Sequence, residues 1–351
     1  MANSRIPLGQ DYGHLKKLLL ILNIIICVSS IIYVIHFFQQ QSFNDIATEL
    51  QKVKGNYLFI LSVTFCSNVI GTIALMVSFN QKIPIKKFFL FHAIDLAGDA
   101  VSRVTPTNIV VGDSYKALTF SNFGFGKTES TSALILFRIY CLLSNFSFFF
   151  ICLILYIVLR KSSNFHRFDE VIVIIAGVFL LGVAALFILK KNNHVWKLHR
   201  KTRVLIHRNQ KLEWVYKKAR GVYLTIRSSF YEHKSKFFIL LLLTTIQKFG
   251  GVLELYFLLG SLGIQTTLYN CMIFEMGIII MRLVFAAIPM QLGVEEVWNK
   301  VLLDIIHIDS PQTCLTVSII RRFRMFVWIL YGFIFLVLLN LHRYIREKRK
   351  M

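Results

Sequence analysis

Long apolar runs constrain this chain more than any other feature. The stretches 18–38, 57–79, 171–189 and 237–259 are each long enough to cross a hydrocarbon core of about 30 Å. Two more, 133–159 and 314–341, are interrupted by arginine. With 56% hydrophobic residues and 32 Phe in 351 residues, the chain is too apolar for a soluble domain. An all-α integral membrane protein is predicted. The first run exceeds the usual signal-peptide core, and Gln39, Gln40 and Gln41 do not offer a small-residue cleavage pattern, so 18–38 is read as a retained helix.

Charge then sets the orientation. Fourteen Lys or Arg against two acids lie in 190–236, and five more lie in 343–350. Cytoplasmic loops of membrane proteins carry such an excess, and anionic lipid attracts it. This reading absorbs the net charge of +22 without nucleic acid, for which no recognition motif is present. With that loop and the C-terminus inside, Arg5, Lys16 and Lys17 put the N-terminus inside too. The stretch 39–56 is then external, and Phe43, Ile46, Ala47, Leu50 and Val53 follow the spacing of a short interfacial helix. The expected location is the cytoplasmic (inner) membrane, multi-pass. The six cysteines stand singly in or beside apolar segments, which excludes a disulfide framework and a zinc site.

The same walk leaves 88–127 beginning and ending in the cytoplasm, and 266–309 beginning and ending outside. Each segment holds an apolar hairpin broken at a proline, Pro106 and Pro289. Seven residues past each stands an acid, Asp113 or Glu296, and thirty-two past each an arginine, Arg138 or Arg321. Residues 57–160 and 237–341 are therefore read as two inverted repeats of one polytopic domain, 1–351, with 190–236 as the basic cytoplasmic loop between them. Such repeats commonly build a transporter site at mid-membrane. Parity does not separate re-entrant half-helices from full crossings. Composition favours re-entry for the second arms: 108–123 holds Gly112, Asp113, Ser114 and Lys116, and 293–308 holds Glu295, Glu296, Lys300 and Asp304.

The first arms are also polar. His92, Asp95, Asp99 and Arg103, spaced three, four and four, stack on one helical face. Glu275 and Arg282 share a face, as do Gln247 and Glu254, with Lys248 beside the first. Charges at this depth pair with one another or face water. Asp99, Arg103, Asp113, Lys116, Arg138, Arg282, Glu295, Glu296 and Arg321 are the candidate head-group ligands, the cations suiting phosphate. The plainer alternative is that the same arginines pair with the acids to lock helices together. Arg322 and Arg324 are expected near the outer interface.

The stretches Thr105-Pro106, Gly112-Asp113-Ser114-Tyr115-Lys116 and Leu136-Phe137-Arg138 resemble the Pro, Gly-Glu-x-x-Arg and Glu-Arg signatures of the lysylphosphatidylglycerol synthase transmembrane-region (flippase-like) family. Ile288-Pro289 through Glu296 is similar to its Pro-x-x-x-Gly-x-x-Glu stretch. The resemblance covers about 57–341 and implies lipid handling. Asp113 stands for the usual Glu, Lys116 for the usual Arg, and Phe137 where Glu often precedes Arg138, so the family's head-group contacts are reshaped here. The chain stops at Met351, just after its last helix, so the soluble aminoacyl-transfer domain of the family is expected to be absent.

The function expected is a lipid translocase that binds an anionic lipid head group in a central polar cavity. It is not expected to be an enzyme or to carry a cofactor or metal. The alternatives are an accessory scaffold of envelope lipid or glycan biosynthesis, or an intramembrane lipid-modifying enzyme acting through Asp95, Asp99 and Asp113. The expected partners are membrane lipids, an envelope-biosynthesis enzyme in the scaffold reading, and a second copy in a homo-oligomer.

Overall fold

A computed structural model describes residues 43–105, 109–160, 234–285, 288, 291 and 293–348. The expected spans at 18–38 and 171–189, nearly all of the basic loop, Pro106 and Pro289 lie outside the described residues. Within them the chain is helical, without strands. In order come α1 (Phe43–Val53), α2 (Tyr57–Ser78), α3 (Phe88–Val104), α4 (Ile109–Asn122) and α5 (Lys127–Arg160), then α6 (Lys234–Ser261), α7 (Leu268–Val284), α8 (Val294–Ile305) and α9 (Pro311–Lys348).

Four of these helices have the length and hydropathy to cross a bilayer: Tyr57–Ser78, Lys127–Leu155, Ser235–Ser261 and Pro311–Ile345. They coincide with four of the apolar runs. Between them lie two pairs of short helices, and the order long, short, short, long occurs twice. The second arms, α4 and α8, have 14 and 12 residues. At 1.5 Å per residue they span about 21 and 18 Å, less than the roughly 30 Å of a hydrocarbon core. Their bounds match the stretches whose composition favours re-entry.

The described residues divide into two compact units. One takes α1 and α2 as far as Phe65, then Ala93–Lys116 and Gly251 onward; the other takes Cys66–His92, Ala117 to the end of α5, and α6 to Gly250. In the first unit, glycines set the helix contacts. A Cβ on Gly112 of α4 would strike the Ser102 side chain and the Gly98 carbonyl of α3. A Cβ on Gly277 of α7 would strike Leu302 of α8, and one on Gly332 of α9 would strike the Leu96 carbonyl and Ala100 of α3. The predicted short helix forms as α1, with Val53 buried, and it packs against α9.

The second unit has its own core. Gly71 of α2 faces the Gln247 side chain of α6, and Gly250 faces Ser67, so these helices approach closely. The Ser67 hydroxyl donates to the Gln247 carbonyl at 2.9 Å. Phe79, Phe91, Phe120 and Phe125 form a buried cluster with centroids 4.7–5.7 Å apart, mostly edge to face.

Candidate functional site

The face of α3 predicted from spacing divides. His92 belongs to the second unit, where its Nδ1 lies 2.9 Å from the Thr72 hydroxyl. Asp95 and Asp99 lie in the first unit and take the same cation: the Lys116 ammonium donates to Asp95 at 2.5 Å and to Asp99 at 2.6 Å. Gly98 makes this possible, because its missing side chain leaves room for the aliphatic stem of Lys116. Lys116 is 1% exposed, so an ammonium is buried between two carboxylates. Lys116 thus has an internal ion-pairing role, while the Asp99 side chain remains 44% exposed.

The second hairpin is closed by a different device. Gly293, at φ 78°, precedes α8, and Glu295 and Glu296 fall in the first turn, where a helix N-terminus favours negative charge. Arg322 of α9 gathers them: its guanidinium lies 3.4 Å from Glu295 and donates to Glu296 at 2.5 and 3.0 Å. It also donates at 2.9 Å to the carbonyl of Gln291, a non-glycine residue at φ 50° and therefore a strained point at the hairpin tip. Trp298 Nε1 donates to the Gly277 carbonyl at 2.9 Å, tying α8 to α7.

Arg322 and Arg324 are held by protein acids and are not free at the surface. Their side chains are 12% and 13% exposed, and Arg324 pairs with the buried Glu254 of α6. Neighbouring acids on α6 and α8 draw these arginines inward, since a buried carboxylate needs a counter-charge. Glu254 is a seam member that spacing identified; its partner was not evident.

Arg321 is 2% exposed. Its Nη2 lies 3.5 Å from Glu275, its Cζ lies 5.2 Å from the centre of the Phe274 ring, and Nε and Nη1 have no hydrogen-bond partner. Arg103 and Arg282 behave otherwise. They come from different hairpins, both are exposed, and neither makes a hydrogen bond or ion pair among the described residues. Arg103 lies within electrostatic reach of Asp99, Arg282 and Glu295.

Of the nine candidates, Asp99, Arg103, Asp113, Lys116, Arg282, Glu295, Glu296 and Arg321 fall in the first unit. Arg138 falls in the second, as do Gln247 and Lys248 of the predicted seam. Asp113 is half-buried on α4. Among the described residues, no group of three His, Cys, Asp or Glu gathers to hold a metal. The first-unit set offers two chemistries: ion pairs that close each hairpin, and two accessible guanidinium forks suited to an oxyanion.

No curated protein and no solved structure matches this chain. The model of the lysylphosphatidylglycerol synthase transmembrane region matches residues 19–340. Nearly the whole chain is covered, so the protein belongs to this family, as a multi-pass integral membrane protein related to lipid metabolism.

Proposed function

We propose that the protein is a non-enzymatic lipid translocase of the cytoplasmic membrane, with a phosphate-bearing head group received between Arg103 and Arg282 while the acyl chains stay in the bilayer. What supports this reading is that Arg103 and Arg282, exposed residues of different hairpins, lie within electrostatic reach of each other. Like charges in mutual reach repel, and the repulsion grows in the low dielectric of a membrane protein. An anion between them relieves it, and each guanidinium presents a bidentate fork that matches phosphate. Asp99 and Glu295, within reach of Arg103, balance its charge when no anion is bound.

The acids support a role without catalysis. Asp95 and Asp99 bind Lys116, Glu275 faces Arg321, Glu295 and Glu296 bind Arg322, and Glu254 binds Arg324. A carboxylate held by a buried cation is a poor general acid, because the cation stabilises its ionised form. Reconstitution with fluorescent phosphatidylglycerol tests the proposal. Wild-type protein is expected to accelerate exchange between leaflets, and the double variant Arg103→Ala, Arg282→Ala to return the rate to background while melting normally. A wild-type rate equal to that of empty vesicles overturns it. A stable protein partner without lipid movement would favour the accessory role.

A further inference from the structure

A second lipid-sized site lies wholly within the other unit. The C-terminal part of α2, the turn 79–87, the start of α3 and the start of α6 enclose a cavity of about 1030 Å³. Its walls are apolar, with Ile73, Met76, Val77, Phe88, Phe89 and Ile239 among them. The neighbouring aromatic cluster, to which Phe79 contributes, is a stiff support for one side. Ile85 and Phe89 are 85% and 80% exposed, which suits contact with hydrocarbon and not with water. None of these residues belongs to the arginine and carboxylate set.

The rim has the opposite character. Asn80, Gln81, Lys82 and Lys236 line it, and Lys86 and Lys87 are exposed on the same turn. The Lys236 ammonium donates to the Phe79 carbonyl at the end of α2. That contact uses one of three N–H donors and leaves two for a ligand. Glu129 is the acid beside this rim: Gln81 donates to it at 3.3 Å, and its charge is felt by Lys236. Among the described residues, the lining lysines Lys82 and Lys236, with Lys86 exposed on the same turn, outweigh Glu129, so the rim is cationic.

Depth decides what would fill the cavity. Along α2, the lining from Val69 to Phe79 extends about 15 Å at 1.5 Å per residue, half of a hydrocarbon core of about 30 Å. A groove one leaflet deep, apolar along its length and cationic at its mouth, has the dimensions and polarity of a single phospholipid. We infer that it binds one anionic phospholipid from the surrounding leaflet, with an acyl chain against Ile73, Val77 and Ile239 and the phosphate on Lys82 and Lys236. This inference does not depend on translocation through Arg103 and Arg282.

Native mass spectrometry of the full chain, titrated with phosphatidylglycerol or with phosphatidylcholine of the same acyl chains, tests it. The wild type is expected to hold one phosphatidylglycerol selectively, and Lys82→Ala with Lys236→Ala to bind it about 30-fold more weakly, the effect of two interfacial lysines. Val77→Trp puts a bulky ring where the acyl chain would lie, keeps both lysines and is expected to weaken binding of the same lipid. Its result decides the matter should loss of the Lys236–Phe79 contact unfold the double variant. Arg103→Ala with Arg282→Ala is expected to leave this binding unchanged. Equal affinity for the two lipids, or wild-type affinity in the Val77→Trp variant, overturns the inference.

Discussion

Lys116 shows how a buried cation is held inside the protein and what its loss would do. Asp95 and Asp99 both turn to it, at 2.5 and 2.6 Å, and its side chain is 2% exposed. Removing the ammonium takes from the buried Asp95 carboxylate the cation it shares with Asp99, which is itself partly exposed and within reach of Arg103. Breaking a buried pair on one side costs about 3–5 kcal/mol, whereas removing both sides together is close to neutral. Lys116→Met is therefore expected to lower stability by about that amount in a detergent unfolding titration, and Lys116→Met combined with Asp95→Asn and Asp99→Asn to recover most of it. A single variant as stable as the wild type would mean that the three groups do not share charge. The charges themselves were legible in the sequence, because acids and bases in apolar runs stand out. Their partners were not: Lys116 reaches Asp95 and Asp99 because Gly98 admits its stem, and Arg322 meets Glu295, Glu296 and the Gln291 carbonyl, all from outside its own helix. Partner choice depends on helix rotation and approach, which residue spacing on one helix does not specify.

At the level of elements, both hairpins close on a glycine, Gly112 between α4 and α3 and Gly277 between α7 and α8. The two positions differ in what a side chain would meet. At Gly277 it would meet the flexible end of Leu302, but at Gly112 it would also meet backbone, the Gly98 carbonyl at 2.5 Å. Backbone does not yield without moving a helix. Gly112→Val is thus expected to destabilise the fold by about 1–3 kcal/mol or more, the usual range for overpacking, seen as a lower melting temperature. Gly260→Ala, where nothing lies within 4 Å of the new Cβ, is the tolerated control. Element bounds were legible where hydropathy or composition changes sharply: the run at 57–79 became Tyr57–Ser78, and the polar stretch at 293–308 became Val294–Ile305. The ends of α9 were less so, since the amphipathic residues on either side of the apolar run at 314–341 extend the helix to Pro311–Lys348.

For the molecule as a whole, the sidedness of its loops carries the functional argument, because a site reached from both faces in turn needs hairpins of opposite orientation. The order long, short, short, long occurs twice, and the proposed topology takes its direction from the basic residues. In the proposed topology Lys82, Lys86 and Lys87 put the turn before α3 in the cytoplasm, and the turn between α4 and α5 on that same side. The same proposal puts the turn between α6 and α7 and the turn between α8 and α9 outside. Single cysteines at Gln81, Gly126, Gln265 and Asp309, all exposed positions, test this in a background freed of native cysteines. Gly126 accepts a side chain, with no neighbour closer than 3.6 Å to its Cβ. A membrane-impermeant maleimide is expected to label Gln265→Cys and Asp309→Cys in intact cells, and Gln81→Cys and Gly126→Cys only after the membrane is opened. Labelling of Gly126→Cys and Gln265→Cys from the same side would remove the inversion. Arg103 and Arg282 would then belong to hairpins facing one compartment, and alternating access to a head group between them would lose its basis.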